Sequence, residues 1–243
     1  MYHFFVSDGQ ADGDLVTITG PDVNHMKNVL RMRPGEIIGV TAGDKRLICR
    51  VEELTGDAVT ARITGEDGRT ELPVQMYLFQ GLPKSDKMEF IIQKAVELGV
   101  YEVIPVAAHR SVVKLDGKKE EAKVKRWNAI SETAAKQSGR GMIPQVAGVT
   151  SFKDALARAA EFERVFIPYE KAEGMERTRE LLDSVRPGDR VAVFIGPEGG
   201  FEESEILAAA AAGAEPMTLG RRILRTETAG LAVLSALMIR MEE

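Results

Sequence analysis

Glycines gather where an apolar run stops: Val191-Ala192-Val193-Phe194-Ile195 is followed at once by Gly196-Pro197-Glu198-Gly199-Gly200-Phe201. At the end of a buried strand, residues without a Cβ let a ligand approach the backbone closely. A tight strand-to-helix turn accounts for the same glycines. The segment has neither the GxxxxGKS/T spacing of a phosphate loop nor the GxGxxG of a dinucleotide turn. Glu202, Glu203 and Glu205 come next, so three carboxylates stand where a phosphate would seek the positive end of a helix. A phosphate ligand is therefore disfavoured, whereas an adenosine carrying a cationic sulfonium and an amino acid escapes the repulsion.

A second segment, Leu219-Gly220-Arg221-Arg222-Ile223-Leu224-Arg225-Thr226-Glu227-Thr228-Ala229-Gly230, reads as a compact loop running into the last helix, with Thr226 or Thr228 as its cap. Leu219, Ile223 and Leu224 could sandwich a planar base while backbone groups read its edge. A capped helix start with arginines in solvent is the plainer reading, and this stretch by itself does not exclude it.

These loops need elements to hold them. Residues 1 to 72 read as short strands, Tyr2 to Val6, Leu15 to Ile18, Ile37 to Val40, Leu47 to Glu52 and Val59 to Ile63, separated by Gly- and Asp-rich turns. Thr41-Ala42-Gly43-Asp44-Lys45 is a hairpin turn by composition. Asp22 is expected to cap a short helix through Arg31, which Pro34-Gly35 ends. Together these features predict a small β-barrel.

Past the polar stretch Gly65-Glu66-Asp67-Gly68-Arg69 the pattern changes, which places a domain boundary near residue 72 and a second domain over residues 73–243. Strands are expected at Val74 to Gln80, Val103 to Val106, Arg164 to Pro168, Arg190 to Ile195 and Pro216 to Leu219. Helices are expected at Lys84 to Leu98, Ala122 to Ser138, Phe152 to Ala160, Gly174 to Leu182, Glu202 to Ala212 and Thr226 to Met241. Such alternation predicts an α/β domain on a mainly parallel sheet. The last helix is apolar nearly all round, so it is either a central core helix or half of an interface.

The 243 residues are 44% hydrophobic, enough for a real core. One cysteine, Cys49, and three scattered histidines exclude an internal disulfide and a zinc site, so no metal is expected. The opening MYHFFVSDGQ lacks a targeting pattern and no run approaches membrane-spanning length, which predicts a soluble, cytoplasmic protein with no membrane partner. The net charge of −5 argues against nucleic acid only if the charges are spread evenly. They are not: Arg110, Lys114, Lys118, Lys119, Lys123, Lys125, Arg126, Lys136 and Arg140 face only Asp116, Glu120, Glu121 and Glu132 between Ile104 and Gln145. That basic excess suits phosphates, although a solvated helix face would look alike. Trp127 either stacks on a base or packs its helix.

Gly196 to Phe201, followed by Leu219-Gly220 and Ile223 to Ala229, resembles the paired cofactor signature of RsmE-type SPOUT methyltransferases. Gln80-Gly81-Leu82-Pro83-Lys84, Glu97-Leu98-Gly99-Val100, Arg110-Ser111, and Arg126-Trp127 with Glu132, Ala134, Ala135, Gln137, Ser138, Gly139 and Arg140 resemble the same family in order, and the likeness spans most of residues 74 to 232. The resemblance implies a trefoil-knotted α/β domain, an N-terminal PUA-like RNA-binding domain, an obligate homodimer, and methylation of N3 of a uridine in 16S rRNA of the small ribosomal subunit by S-adenosylmethionine. It implies a cofactor pocket made of Ile167 and Pro168, Ile195 to Gly200, Leu219, Gly220, and Ile223 to Ala229. It implies an RNA surface at His25, Lys27, Arg31, Arg33, Lys84, Arg110, Arg126, Gln137 and Arg140.

Uridine N3 becomes a nucleophile only on losing its proton, about two units above neutrality, which costs about 3 kcal/mol. A cation beside O2 and O4 lowers that cost. Arg225 is the candidate, and an ion pair with Glu227 or Glu198 is its alternative role. Glu198 is left between general base and holder of the cofactor's amino group. Two other functions stay open at this stage: a related methyltransferase acting on another acceptor such as a tRNA ribose 2′-hydroxyl, and a non-catalytic RNA-binding assembly factor. A nucleotide-dependent hydrolase or dehydrogenase is ranked last, because its phosphate motifs are absent.

Overall fold

The computed structural model describes residues 1–43, 45–68, 70–111, 117–172 and 174–242. Contacts divide the chain into two compact units, residues 1–71 with 135–143, and residues 72–134 with 144–243. Asp44 in the expected hairpin turn, Arg69 in the polar stretch, and Lys114 and Asp116 in the basic segment lie outside the described residues.

The first unit is a six-stranded mixed sheet with short helical segments. Its elements are β1 (His3–Val6), β2 (Ala11–Asp12), β3 (Leu15–Thr19), α1 (Pro21–Asn24), β4 (Ile37–Ala42), β5 (Lys45–Leu54) and β6 (Ala58–Glu66). Strand order is β1-β4-β5-β6-β3-β2, with β1 parallel to β4 and every other pair antiparallel. Side chains alternate as a pleated strand requires: Val16 and Ile18 of β3, Leu47, Cys49 and Val51 of β5, and Val59 and Ala61 of β6 are buried together with Phe4, Met26, Ile38 and Val40.

The expected helix from Asp22 to Arg31 is shorter and differently capped. Gly20 is its N-cap, and Pro21 fixes the first turn. A π-type turn follows at His25–Val29, and Arg31 leaves it with a left-handed φ of 54°. Asp22 caps nothing; its carboxylate receives Lys136 Nζ at 2.9 Å. Lys136 belongs to residues 135–143, which the sequence assigned to the second domain. Arg46 donates to the Gly139 carbonyl, Arg140 Nε donates to both Glu71 oxygens at 2.9 and 3.0 Å, and the Gly141 N–H donates to Glu71 at 2.8 Å.

The second unit continues the chain with β7 (Gln75–Gly81), α2 (Lys87–Glu97), β8 (Val100–Ala107), α3 (Gly117–Ser138), β9 (Gln145–Val146), β10 (Thr150–Ser151), α4 (Phe152–Ala157), β11 (Arg164–Pro168), α5 (Met175–Asp183), β12 (Arg190–Ile195), α6 (Glu203–Ala211), β13 (Glu215–Met217) and α7 (Thr226–Met241). The last turn of α3 is the part counted in the first unit. Strand order is β10-β8-β7-β12-β11-β13, with β9 beside β8, and every ladder is parallel.

A parallel sheet covered on both faces reads as continuous apolar sequence. Accordingly Met76 to Phe79 and Val191 to Ile195 are buried without alternation. Phe79 stacks on Phe194 at 4.3 Å between ring centroids, and Phe162 meets Phe79 edge-on at 5.7 Å. Trp127 is also buried, so it packs its helix and is not available to stack on a base. Helix α7 packs on α2 and β12 with Val233, Leu234 and Leu237 inward. Among the described residues no helix is long and apolar enough to cross a membrane.

Candidate functional site

Register sets the site. In the β12–β7 ladder Ile195 lies opposite Gln80, and in the β11–β13 ladder Pro168 lies opposite Met217, so four parallel strands release their loops at one edge. Open parallel sheets hold ligands outside this carboxyl edge.

The loops after β7 and β12 touch so closely that a Cβ on Gly81 would stand 2.6 Å from the Pro197 nitrogen. Only glycine is compatible with that approach. Gln80, fully buried at the same edge, donates from Nε2 to Thr226 Oγ1 at 2.9 Å, and the Thr226 hydroxyl donates to the Gly196 carbonyl at 2.7 Å. This relay ties the glycine-rich loop to the head of α7. Thr226 is therefore not the cap the sequence suggested. The N-cap is Arg225, in extended backbone with no side-chain cap bond, and Thr228 is exposed.

The base of the second loop is held separately. The Thr178 hydroxyl on α5 donates to the Thr218 carbonyl at 2.9 Å and accepts from the Thr218 N–H at 3.2 Å. Gly220 then takes a φ of 101°, a left-handed backbone that side chains avoid.

Charges gather across the same loops. Glu198 accepts from the Lys84 N–H and from Lys87 Nζ, both at 3.0 Å, and Lys87 Nζ lies 3.4 Å from Glu227 Oε2. Partial burial would raise the Glu198 carboxyl, but the bonds from Lys87 and from backbone amides outweigh it and hold the group below the usual carboxylate range. Lys87 is pushed up, first by its hydrogen bond to Glu198. An ionised, doubly bonded Glu198 is poorly suited to accept a proton as general base. The same contacts overturn the alternative of an Arg225 ion pair: both glutamates face Lys87, and Arg225 is exposed with no ion pair among the described residues.

At the start of α6, Glu205 accepts from the Glu202 N–H at 2.9 Å and from the His109 N–H at 3.0 Å. These carboxylates occupy the helix end a phosphate would need. Arg110 donates to the Gly199 carbonyl at 2.9 Å.

Of the expected cofactor residues, Ile167, Ile195 and Pro197 are buried, Pro168, Gly196, Gly200, Leu219, Gly220, Leu224, Glu227 and Ala229 are half-buried, and Glu198, Gly199, Arg225 and Thr228 are exposed at the loop surfaces. Ile223 departs from its expected role: its side chain is 90% exposed at the loop tip and sandwiches nothing within this chain. Of the expected RNA residues, His25, Arg31, Arg33 and Gln137 in the first unit and Lys84, Arg110 and Arg126 in the second are exposed. Arg126 pairs with Glu89 at 2.7 Å, and Lys27 donates to the Thr55 carbonyl at 2.6 Å. Arg140 is 4% exposed against Glu71 and cannot reach a phosphate, which corrects its place in that set.

Sequence reading named Gln80 only within the family resemblance, with no role, and passed over Lys87 and Thr178. Gln80 carried a signal, since a polar residue ending a wholly apolar strand must find partners. For Lys87 nothing in one sequence marks its two acidic partners.

The arrangement offers carboxylates for a cation, bare glycine backbone for close approach, and one buried oxygen, Gln80 Oε1, without a hydrogen-bond partner among the described residues. It offers no phosphate cradle, and among the described residues no cluster fits a metal. A family model described as an RNA methyltransferase domain matches residues 70–238, and one described as an RNA methyltransferase PUA domain matches residues 18–64. The chain is 39% identical over 233 residues to ribosomal RNA small subunit methyltransferase E of Bacillus subtilis, covering 93% of this chain and 90% of the relative. To the protein of the same description from Mesomycoplasma hyopneumoniae it is 34% identical, over 97% and 98% of the two chains. Among solved structures, that of a ribosomal RNA small subunit methyltransferase E from Neisseria gonorrhoeae bound to S-adenosyl methionine matches with a TM-score of 0.84 at 33% identity, covering 99% and 98%.

Proposed function

This chain belongs to the ribosomal RNA small subunit methyltransferase E family, and from that membership we propose that it transfers the methyl group of S-adenosylmethionine to N3 of a uridine in 16S rRNA of the small ribosomal subunit. The observation that carries the reading furthest is the buried relay from Gln80 through Thr226 to Gly196, because it joins the two motif loops into one pocket wall at the carboxyl edge of the sheet. The pocket suits a phosphate-free cation: its walls carry carboxylates and bare backbone, and Ile195 to Gly200 would lie against Leu219, Gly220 and Leu224 to Ala229, with Ile167 and Pro168 on the adjoining strand.

S-adenosylmethionine supplies, when bound, a methyl group on a cationic sulfur. The chain's part is to align the base and make its anion accessible. Arg225, exposed at the entry to α7 and without an ion pair among the described residues, is the group we assign to the uracil oxygens, where it would offset about 3 kcal/mol of deprotonation cost. The N3 proton leaves to solvent, the N3–carbon bond forms as the carbon–sulfur bond breaks, and the sulfur keeps the electron pair. Glu198, already held by two donors, braces the loop. His25, Arg31, Arg33 and Gln137 on the first unit and Lys84, Arg110 and Arg126 on the second are the RNA-facing groups in this reading, with phosphate contacts supplying most of the affinity.

The knotted topology and the homodimer implied by the family resemblance belong to the same proposal. Apolar side chains left in solvent support a second copy: Phe90 on α2, Ile239 on α7, and Ile223 at the loop tip.

The test is incubation with methyl-labelled S-adenosylmethionine and small subunits lacking the modification, followed by digestion and mass spectrometry. Label on uridine N3 is expected. Label on a ribose 2′-oxygen would replace the acceptor, and absence of both label and cofactor binding would favour a non-catalytic RNA-binding protein.

A further inference from the structure

Lys87 lies outside both motif loops yet touches each of them. It is the first residue of α2, and its single ammonium reaches Glu198 Oε1 at 3.0 Å in the glycine-rich loop and Glu227 Oε2 at 3.4 Å in the first turn of α7. The Lys84 N–H, three residues earlier, holds the same Glu198. Two carboxylates from segments far apart in sequence would repel each other at this separation, and one shared cation holds them together. The three side chains are roughly seven- to eight-tenths shielded, with 29%, 28% and 19% of Lys87, Glu198 and Glu227 accessible, so their charges are less screened than those of fully exposed pairs.

We propose that Lys87 is a positioning residue that balances the two carboxylates beside the cofactor pocket: one ammonium against two carboxylates leaves this trio one net negative charge. S-adenosylmethionine carries one net positive charge, from its sulfonium, ammonium and carboxylate. S-adenosylhomocysteine, whose sulfur is neutral, carries none. The trio therefore favours the methyl donor over the demethylated product by electrostatics alone, and Lys87 limits how far it does so. The inference rests on the reading that these two loops enclose S-adenosylmethionine.

Calorimetry with each of the two ligands tests it, on the full chain and on Lys87→Met and Lys87→Arg. Removing the ammonium leaves two net negative charges. In Lys87→Met the ratio of affinities should therefore shift toward S-adenosylmethionine on the order of fivefold, with the shift shrinking as salt is raised. Lys87→Arg should restore the original ratio. A Lys87 that merely braced the loops would weaken both ligands equally, so an unchanged ratio in Lys87→Met overturns the proposal. A Lys87→Arg ratio that matched Lys87→Met would overturn it too. If the unaltered protein bound neither ligand, the underlying cofactor reading would fail first, an outcome distinct from either of these.

Discussion

At Arg225 the contacts that are missing carry as much information as those present. Glu198 and Glu227, the two acids expected to pair with it, are both drawn to Lys87, which leaves the guanidinium exposed at the helix entry. Its removal should spare the pocket while depriving the uracil anion of its counter-charge. Arg225→Ala is thus expected to lower the single-turnover methyl-transfer rate on the order of 100-fold, with cofactor affinity changed less than about threefold. Equal losses in rate and affinity would remove Arg225 from that role. The site's glycines were legible in the sequence because close approach at Gly81 and a left-handed φ at Gly220 exclude other residues. The partners of Gln80, Thr178 and Lys87 were not, since each lies 40 or more positions away and no local pattern encodes such a pairing. Ile223 was misplaced for a related reason: its apolar side chain suggested a pocket wall, but the loop is anchored at Thr218 and its tip projects into solvent.

Strands and long helices followed from periodicity, and their errors are local. The two-residue strands β2, β9 and β10 are too short for any alternation to reveal. The helix drawn from Asp22 to Arg31 failed because Gly20 and Pro21 take over its start and a π-type turn its end. The parallel pairing of β1 with β4 was equally hidden, and it has a consequence for stability. It sets His3 against Gly39, whose absent Cβ makes room for the imidazole, and His3 Nε2 lies 2.7 Å from Thr41 Oγ1. Burial, then the nearby Arg46 charge, lowers the His3 pKa to about 4, against an ordinary 6.5. The unfolded chain thus binds a proton in a range where the folded one does not, so stability is full above about pH 6.5 and falls progressively toward pH 4. The loss across that window should reach up to about 3 kcal/mol. Hydrogen exchange of the β1 and β4 amides at pH 7 and pH 4.5 measures it, and His3→Asn should flatten the difference between the two. An identical pH response in His3→Asn would assign the effect elsewhere.

For the molecule as a whole, net charge was a poor guide, and the basic count between Ile104 and Gln145 was only a partial one. Arg140 is spent on Glu71 and Lys136 is held by Asp22, so ion pairing within the chain consumes part of an excess that looked available for RNA. Association with a second copy is expected to give a solution mass of twice 26.6 kDa by sedimentation equilibrium, and Ile239→Glu, on the exposed part of α7, should shift the protein toward the single-chain mass. A chain that sedimented at 26.6 kDa at micromolar concentration would exclude the dimer. The contribution of residues 135–143 to the first unit also bears on how the protein is made. A ribosome adding about 5 to 20 residues per second needs several seconds to travel from Glu71 to Ile143. Throughout that interval Glu71 and Arg46 have emerged without the partners that Arg140 and Gly139 will supply. The unit that begins first is thus completed late, by a stretch of chain translated in the middle of its neighbour.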